Sequence, residues 1–320
     1  MGLLATLYLF VVLIDPWDAL PLSPPLPRVP ISTNARFSFP ALARSPSFDS
    51  IVLGDSSARL LRPADLDARF GARFANLAMN SATAYEQSQL LRVFLGSHAR
   101  PRIVIVAIDN AWCAGALTRF TGRAFPAWIY RDDRWLAYRE MLTPYAVQEA
   151  ANQFAVMMGW KRRRYGLDGY TSFVPPDTQY DLARRDRAFL RWPPLDRGPA
   201  PVTAPGTAPA FPSLPLLDDM LAAIPAGTRT ILYFTPYHAD QLGAPGSATD
   251  RRWAGCKQRV AAIARAHGAE ALDFQIPSAI TRDRDNFWDP VHYRAAVATS
   301  ITEALVHGAS PDAVVLVPRR

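Results

Sequence analysis

Two short segments, far apart in the chain, carry residue types that could do chemistry together. In the first, the apolar triplet Ile51-Val52-Leu53 runs into Gly54-Asp55-Ser56-Ser57. The triplet suits a fully buried strand, and Gly54 permits a sharp turn after it. Ser56 is then left at the carboxyl end of a strand, the edge of an open α/β sheet where ligands gather and where unpaired backbone N–H groups favour developing negative charge. In the second, Asn286-Phe287-Trp288-Asp289-Pro290-Val291-His292-Tyr293 places a carboxylate three residues before a histidine. On a tight turn, which Pro290 encourages, Asp289 can accept from one ring nitrogen of His292 while the other faces outward. A hydroxyl, an imidazole and an orienting carboxylate are the parts of a serine triad. Each segment also has a plainer reading: Asp55 or Ser56 as the cap of a helix beginning near Ala58, and Asp289 and His292 as shapers of a turn and a helix start.

The elements that would have to position these groups are legible as apolar patterns. After the strand at Ile51 come a helix over 64–70, a short strand over 74–78 ending in the small-residue turn Met79-Asn80-Ser81-Ala82-Thr83, a helix over 85–95 and a buried strand over 102–108 that ends at Asp109-Asn110. Strands separated by helices imply right-handed parallel crossovers, which bring the polar strand ends to one edge of one sheet. Residues 112–190 are rich in Trp, Tyr and Arg and show helical patches, such as 145–158, but no strong strand. They read as a helical insertion bordering the site, whose aromatics serve either as core or as platforms for sugar rings. The stretch 192–215 is dominated by Pro, Gly and Ala and reads as a flexible connection. The α/β pattern then resumes with a helix over 216–224, a strand over 230–235, a helix over 250–267, a short strand over 271–274 and a last helix over 294–306.

Composition bounds the rest. The chain has 320 residues, 49% of them hydrophobic, enough for a sizeable core. Its formal charge of +7 comes almost wholly from arginine, since Lys161 and Lys257 are the only lysines; apart from the run Lys161-Arg162-Arg163-Arg164, which reads as a solvated helix face, the basic residues are scattered and do not argue for nucleic acid as a partner. Two cysteines, Cys113 and Cys256, cannot make a zinc site by themselves and read as unpaired core residues unless an oxidising compartment joins them. No metal or cofactor is expected. The apolar run 2–14 is shorter than the roughly 20 residues of a comfortable span; within residues 1–18 it is taken as an N-terminal membrane anchor or uncleaved signal segment, which would place the rest of the chain on the exported side. Residues 19–47, proline-rich and without period, read as an extended connection. His267 and His307 precede glycines at helix ends, where they complement the helix dipole. His98 has no evident partner. Tyr237 and His238 leave a strand at the functional edge and are pocket candidates.

The set of motifs resembles the SGNH/GDSL hydrolase family, in particular its exported branch acting on O-acetyl groups of cell-envelope or exopolysaccharide sugars. The resemblance covers residues 48–305 and rests on Gly54-Asp55-Ser56-Ser57, the block 76–83, Ile108-Asp109-Asn110 and Asp289-Pro290-Val291-His292. It implies a three-layer, flavodoxin-like α/β fold with a central, mostly parallel sheet over residues 48–320, and acyl-ester chemistry without a cofactor. The outcome would be that of an acetyl esterase or an O-acetyltransferase on an acetylated or acetyl-accepting polysaccharide, within an envelope biosynthesis complex. Ser56, His292 and Asp289 take the catalytic positions, and Ser56 and Ser81 offer backbone donors to an oxyanion hole. Asp55, Trp112, Tyr237, His238 and Trp288 are expected around the pocket. Where the family supplies an asparagine side chain this sequence has Asp109, so Asn110 substitutes by a one-residue shift, or Asp109 is held protonated, or the backbone donors act alone. The competing expectation is a catalytically inactive protein that keeps the fold to bind glycan or to act as a scaffold.

Overall fold

The computed structural model describes residues 2–192, 194–195 and 210–319. Its centre is a sheet of β1 (Ser50–Leu53), β2 (Phe74–Asn76), β3 (Ile103–Ile108), β4 (Arg229–Phe234) and β5 (Glu270–Asp273), all parallel and ordered β2-β1-β3-β4-β5. A short ribbon, β6 (Phe287–Asp289) with β7 (His292–Tyr293), stands apart, and β8 (Val314–Val317) closes the main sheet antiparallel to β5. This is a mixed, mostly parallel sheet with flanking helices, in the strand order of doubly wound sheets that bind ligand beyond the carboxyl ends of β1 and β3.

Alternation along the strands explains why both faces are covered. In β3, Val104, Val106 and Ile108 point into one apolar cluster, while Ile103, Ile105 and Ala107 point into a second on the opposite face. A strand buried on both sides must be apolar throughout, which is why it reads as an unbroken run. The long helices are α1 (Gly2–Ile14), α2 (Ala35–Arg44), α3 (Pro63–Phe70), α4 (Ala84–Ser97), α5 (Pro144–Met157), α6 (Leu182–Arg191), α7 (Leu214–Ala223), α8 (Ala248–Ala266) and α9 (Ala295–His307). Residues of α2, α4, α7 and α8 fill the first cluster; residues of α3 and α9 fill the second. No strand occurs among the described residues between β3 and β4. The proline-rich stretch expected over 192–215 lies largely outside the described residues, and its end already belongs to α7.

Three expectations are corrected. The N-terminal membrane anchor is overturned, because among the described residues no helix is long and apolar enough to cross a membrane. Helix α1 has 13 residues, about 20 Å at 1.5 Å per residue, against a hydrocarbon core of about 30 Å. One side of it packs on the protein: Val11 and Ile14 are buried, Phe10 meets Phe154 edge-on at 6.0 Å, and the Tyr8 hydroxyl donates to the Tyr138 carbonyl at 2.8 Å, while Leu3, Leu4, Leu9 and Leu13 stay exposed. The membrane contact and the membrane-anchored, exported location inferred from that segment fall with it, and so does anchoring to an envelope complex through it. Second, the connection over 19–47 contains α2, capped by Asn34 and carrying Pro40 inside it. Third, Cys113 and Cys256 are joined by a disulfide across 143 residues of sequence. The bridge ties the segment just after β3 to α8.

Candidate functional site

Ser56 stands directly beyond β1, at the point where the sheet order reverses between β1 and β3. The turn that puts it there needs Gly54, since a Cβ at that position would lie 2.5 Å from the Ala58 Cβ and 2.7 Å from the Ala107 Cβ. Buried Asn76 fixes the far side: its amide donates to the carbonyls of Ala58 and Leu61 at 3.0 and 2.8 Å, and its Oδ1 accepts from the Ala78 N–H at 3.0 Å. The Asp55 carboxylate accepts from the Ser57 N–H at 2.9 Å. After Ser57 comes a short 3₁₀ turn, Ala58–Leu60, and the Ser56 hydroxyl does not cap it.

The β6-β7 ribbon brings the second segment to the same place. A two-residue turn, Pro290 and Val291, sets Asp289 opposite His292. Asp289 Oδ1 accepts from the N–H groups of Val291 and His292 at 2.9 and 3.0 Å, and Oδ2 lies 2.7 Å from His292 Nδ1. On its other side, His292 Nε2 lies 2.7 Å from Ser56 Oγ. An ionised carboxylate can only accept, so the proton belongs on Nδ1 and Nε2 is left to accept from the serine hydroxyl. The ribbon is tied to the serine turn directly: Ser57 Oγ donates to the Val291 carbonyl at 2.9 Å, and the buried Tyr293 hydroxyl to the Ser57 carbonyl at 2.7 Å. His238 supports the turn from behind, its N–H donating to the Pro290 carbonyl at 2.8 Å.

Asp109 follows β3 and is buried, 1% exposed. Its Oδ1 accepts from the Ala111 N–H at 2.7 Å, and its carboxyl meets that of Asp55. Burial first, and then the neighbouring Asp55 charge, push Asp109 well above the usual carboxylate range. Burial also raises Asp55, opposed by its hydrogen bonds from Ser57 and Asp109 and by the nearby imidazole of His292. Burial and the neighbouring Asp55 carboxyl thus favour the neutral form of Asp109, since like charges side by side oppose one another's ionisation. Asn110 is turned elsewhere, its Oδ1 accepting from Arg252 on α8 at 3.0 Å. Ser81 sits exposed at a φ of 53°. Among the described residues, neither the Ser56 nor the Ser81 backbone N–H donates to another protein group.

The pocket expectations divide. Trp288 lines a cleft together with Asp289 and His292, and Phe173 from the 112–190 region meets the His292 ring edge-on at 5.1 Å. Trp112 is wholly buried in the core, its N–H reaching Gln87 at 3.3 Å, so it cannot line a pocket. Tyr237 is 8% exposed and packs on Trp253, close enough to Asp55 and Asp109 that burial and their charges push its phenol up. His238 is equally enclosed, between Phe189 and Phe287, and burial lowers its pKa. His98, without an evident partner in sequence, bridges the Phe94 and Ser45 carbonyls at 2.9 and 3.1 Å.

Sequence reasoning missed the arginines that brace the turn at 79–83. Arg36, 1% exposed, makes a bidentate pair with buried Glu86 at 2.7 and 2.6 Å and donates to the Asn80 and Ser81 carbonyls at 3.3 and 3.2 Å. Arg59 bonds the Asn80 side chain. Only the capping-box pattern Thr83-x-x-Glu86 is visible in the sequence, and it does not disclose that Glu86 also holds Arg36. Among the described residues, no group of His, Cys, Asp or Glu could hold a metal ion.

No protein-family model matches the chain, and no curated protein matches it. Among solved structures, a Bacteroides fragilis protein provisionally described as an acylhydrolase aligns with 10% identity over 81% of this chain and 84% of its own, with a TM-score of 0.37. At that score the likeness carries no argument.

Proposed function

We propose that the chain is a serine-dependent acyl-ester enzyme of SGNH type, with residues 48–320 as its catalytic unit and 112–190 as an insertion bordering the site. One observation carries this reading: His292 lies 2.7 Å from Ser56 Oγ through one ring nitrogen and 2.7 Å from Asp289 through the other. His292 removes the Ser56 proton as Oγ attacks the ester carbonyl; the tetrahedral intermediate collapses, the alcohol leaves with the proton from His292, and an acyl-serine remains. A second nucleophile, activated by the same imidazole, releases the acyl group. Water gives an esterase and a sugar hydroxyl an O-acetyltransferase, with an acetyl ester as the simplest substrate.

The oxyanion in this mechanism is received by the backbone N–H groups of Ser56 and Ser81. Burial and the Asp55 carboxyl beside it keep Asp109 neutral in this mechanism. An ionised carboxylate about 4 Å from the oxyanion would oppose it by about 4 kcal/mol at an effective dielectric near 20. The second reading, a binding protein that keeps the fold without turnover, rests on the carboxyl of Asp109 standing where an oxyanion donor would be needed. The two are separated by offering the purified protein an aryl acetate and, independently, a serine-directed fluorophosphonate. The enzyme reading expects turnover, and adduct mass on the Ser56 peptide that is lost in Ser56→Ala. No turnover together with no adduct leaves only the binding protein.

A further inference from the structure

The Ser56–His292 pair adjoins a cleft of about 480 Å³ whose walls include His292, Trp288 and three arginines of α6: Arg184, Arg187 and Arg191. These positions are i, i+3 and i+7 of one helix, so their side chains share a face. Ala188, also in the wall, leaves the space between them open. Helix α6 is held in place on its opposite side by buried Phe189, over which the Arg284 guanidinium stacks at 4.9 Å.

A row of arginines is ordinarily a solvated helix face balanced by nearby acids. Here the nearby acids are already engaged by other cations or, as with Asp181 and Asp283, by the backbone N–H groups of helix starts. Asp186 and Asp285 pair with Arg185, Asp177 with Arg294, Asp240 with Arg284, and Asp289 with His292. Among the described residues, none of Arg184, Arg187 and Arg191 has an ion pair, although all three are exposed. The arginines left without acids are the ones in the wall of the cleft. Their planar, fork-shaped donors match oxyanion groups, and Arg184 is steadied over the buried Trp288 ring, 5.8 Å away.

Resting on the proposed role of Ser56, we infer that the cleft selects esters bearing an anionic group, a carboxylate, sulfate or phosphate, a few bonds from the scissile carbonyl. The three exposed guanidinium groups each contribute a few-fold at most, so together they give a preference of about tenfold. Salt screens such contacts, and the preference declines as ionic strength rises.

The test compares 4-carboxyphenyl acetate with its neutral isostere 4-carbamoylphenyl acetate. The expected result is a kcat/KM about tenfold higher for the anionic ester at low salt, falling toward parity at about 0.5 M salt. The triple variant R184Q/R187Q/R191Q should lower kcat/KM for the anionic ester more than for the neutral one. Equal kcat/KM for the two esters in the unmodified protein overturns the inference. Should neither ester turn over, the proposed role of Ser56 fails, and the cleft is tested separately by titrating 4-hydroxybenzoate and 4-hydroxybenzamide against tryptophan fluorescence. Tighter binding of the benzoate, lost in the triple variant, supports anion selection; equal binding refutes it.

Discussion

Replacing Asp109 by asparagine should stabilise the protein in neutral and alkaline solution. The side chain is 1% exposed and carries a carboxyl in contact with that of Asp55. Two unit charges at side-by-side range repel by about 4 kcal/mol at an effective dielectric near 20, and structural relaxation reduces this to about 1–4 kcal/mol. The folded-state pKa of Asp109 is raised by burial and by Asp55. Its favourable contribution is therefore complete below the ordinary carboxylate pKa and is lost as pH rises through the raised value. An asparagine in its place would keep the shape, donate its N–H₂ to Asp55 and carry no proton to lose. Urea unfolding at a series of pH values from about 3.5 to 9 should show Asp109→Asn close to the unmodified protein at the acid end and increasingly more stable as pH rises, levelling off once Asp109 has ionised. Ester turnover should change in parallel: the unmodified protein loses rate as Asp109 ionises, and the variant holds its rate. A stability difference that does not vary with pH, or a variant less stable at pH 8, would refute the neutral form of Asp109.

Other perturbations test separate parts of the arrangement. Asp289→Asn should lower kcat by about 10²–10⁴, because the amide no longer fixes the proton on Nδ1, with KM for an aryl acetate little changed. Arg36→Met should cost about 3–5 kcal/mol in urea unfolding by leaving Glu86 buried and unpaired, and R36M/E86L should recover much of it. Removing the bridge with C113A/C256A should cost about 2–5 kcal/mol, since closing a 143-residue separation restricts the unfolded chain by about 5 kcal/mol in the loop-entropy picture; equal midpoints with and without reductant for the unmodified protein would deny the bridge. Gly54→Ala should lower stability by about 1–3 kcal/mol and displace Ser56, read as a fall in turnover larger than the fall in folded fraction.

The parallel strands β1 to β5 were legible because they are buried on both faces, whereas the edge strand β8, with Val314 and Val315 exposed, was not read from the sequence. Residues 103–108 admit no polar side chain, and helices with a clear apolar face separate the strands. Legibility failed where a long-range partner decides the outcome. Helix α2 holds a buried arginine and an internal proline, two features that argue against a helix until Glu86 arrives from 50 residues away. Helix α1 has the composition of a membrane segment, and only contacts with Tyr138 and Phe154 show where its apolar face goes. Strands β6 and β7 are too short, at three and two residues, to leave a pattern. At the candidate site, the residue types of Ser56, Asp289 and His292 could be read locally. The protonation of Asp109 could not, because it depends on a carboxyl that β1 delivers beside β3.

The ribbon and the serine turn differ in how far apart the chain keeps their members. Asp289 and His292 are joined by a two-residue turn and can find each other as soon as that short segment forms. Ser56 reaches His292 only across a separation of 236 residues, from the end of a strand that lies between β2 and β3. Non-local contacts of that kind are slow to close. During refolding, the proposed ester turnover would return later than helical circular dichroism, which would make it a clock for the last long-range docking event.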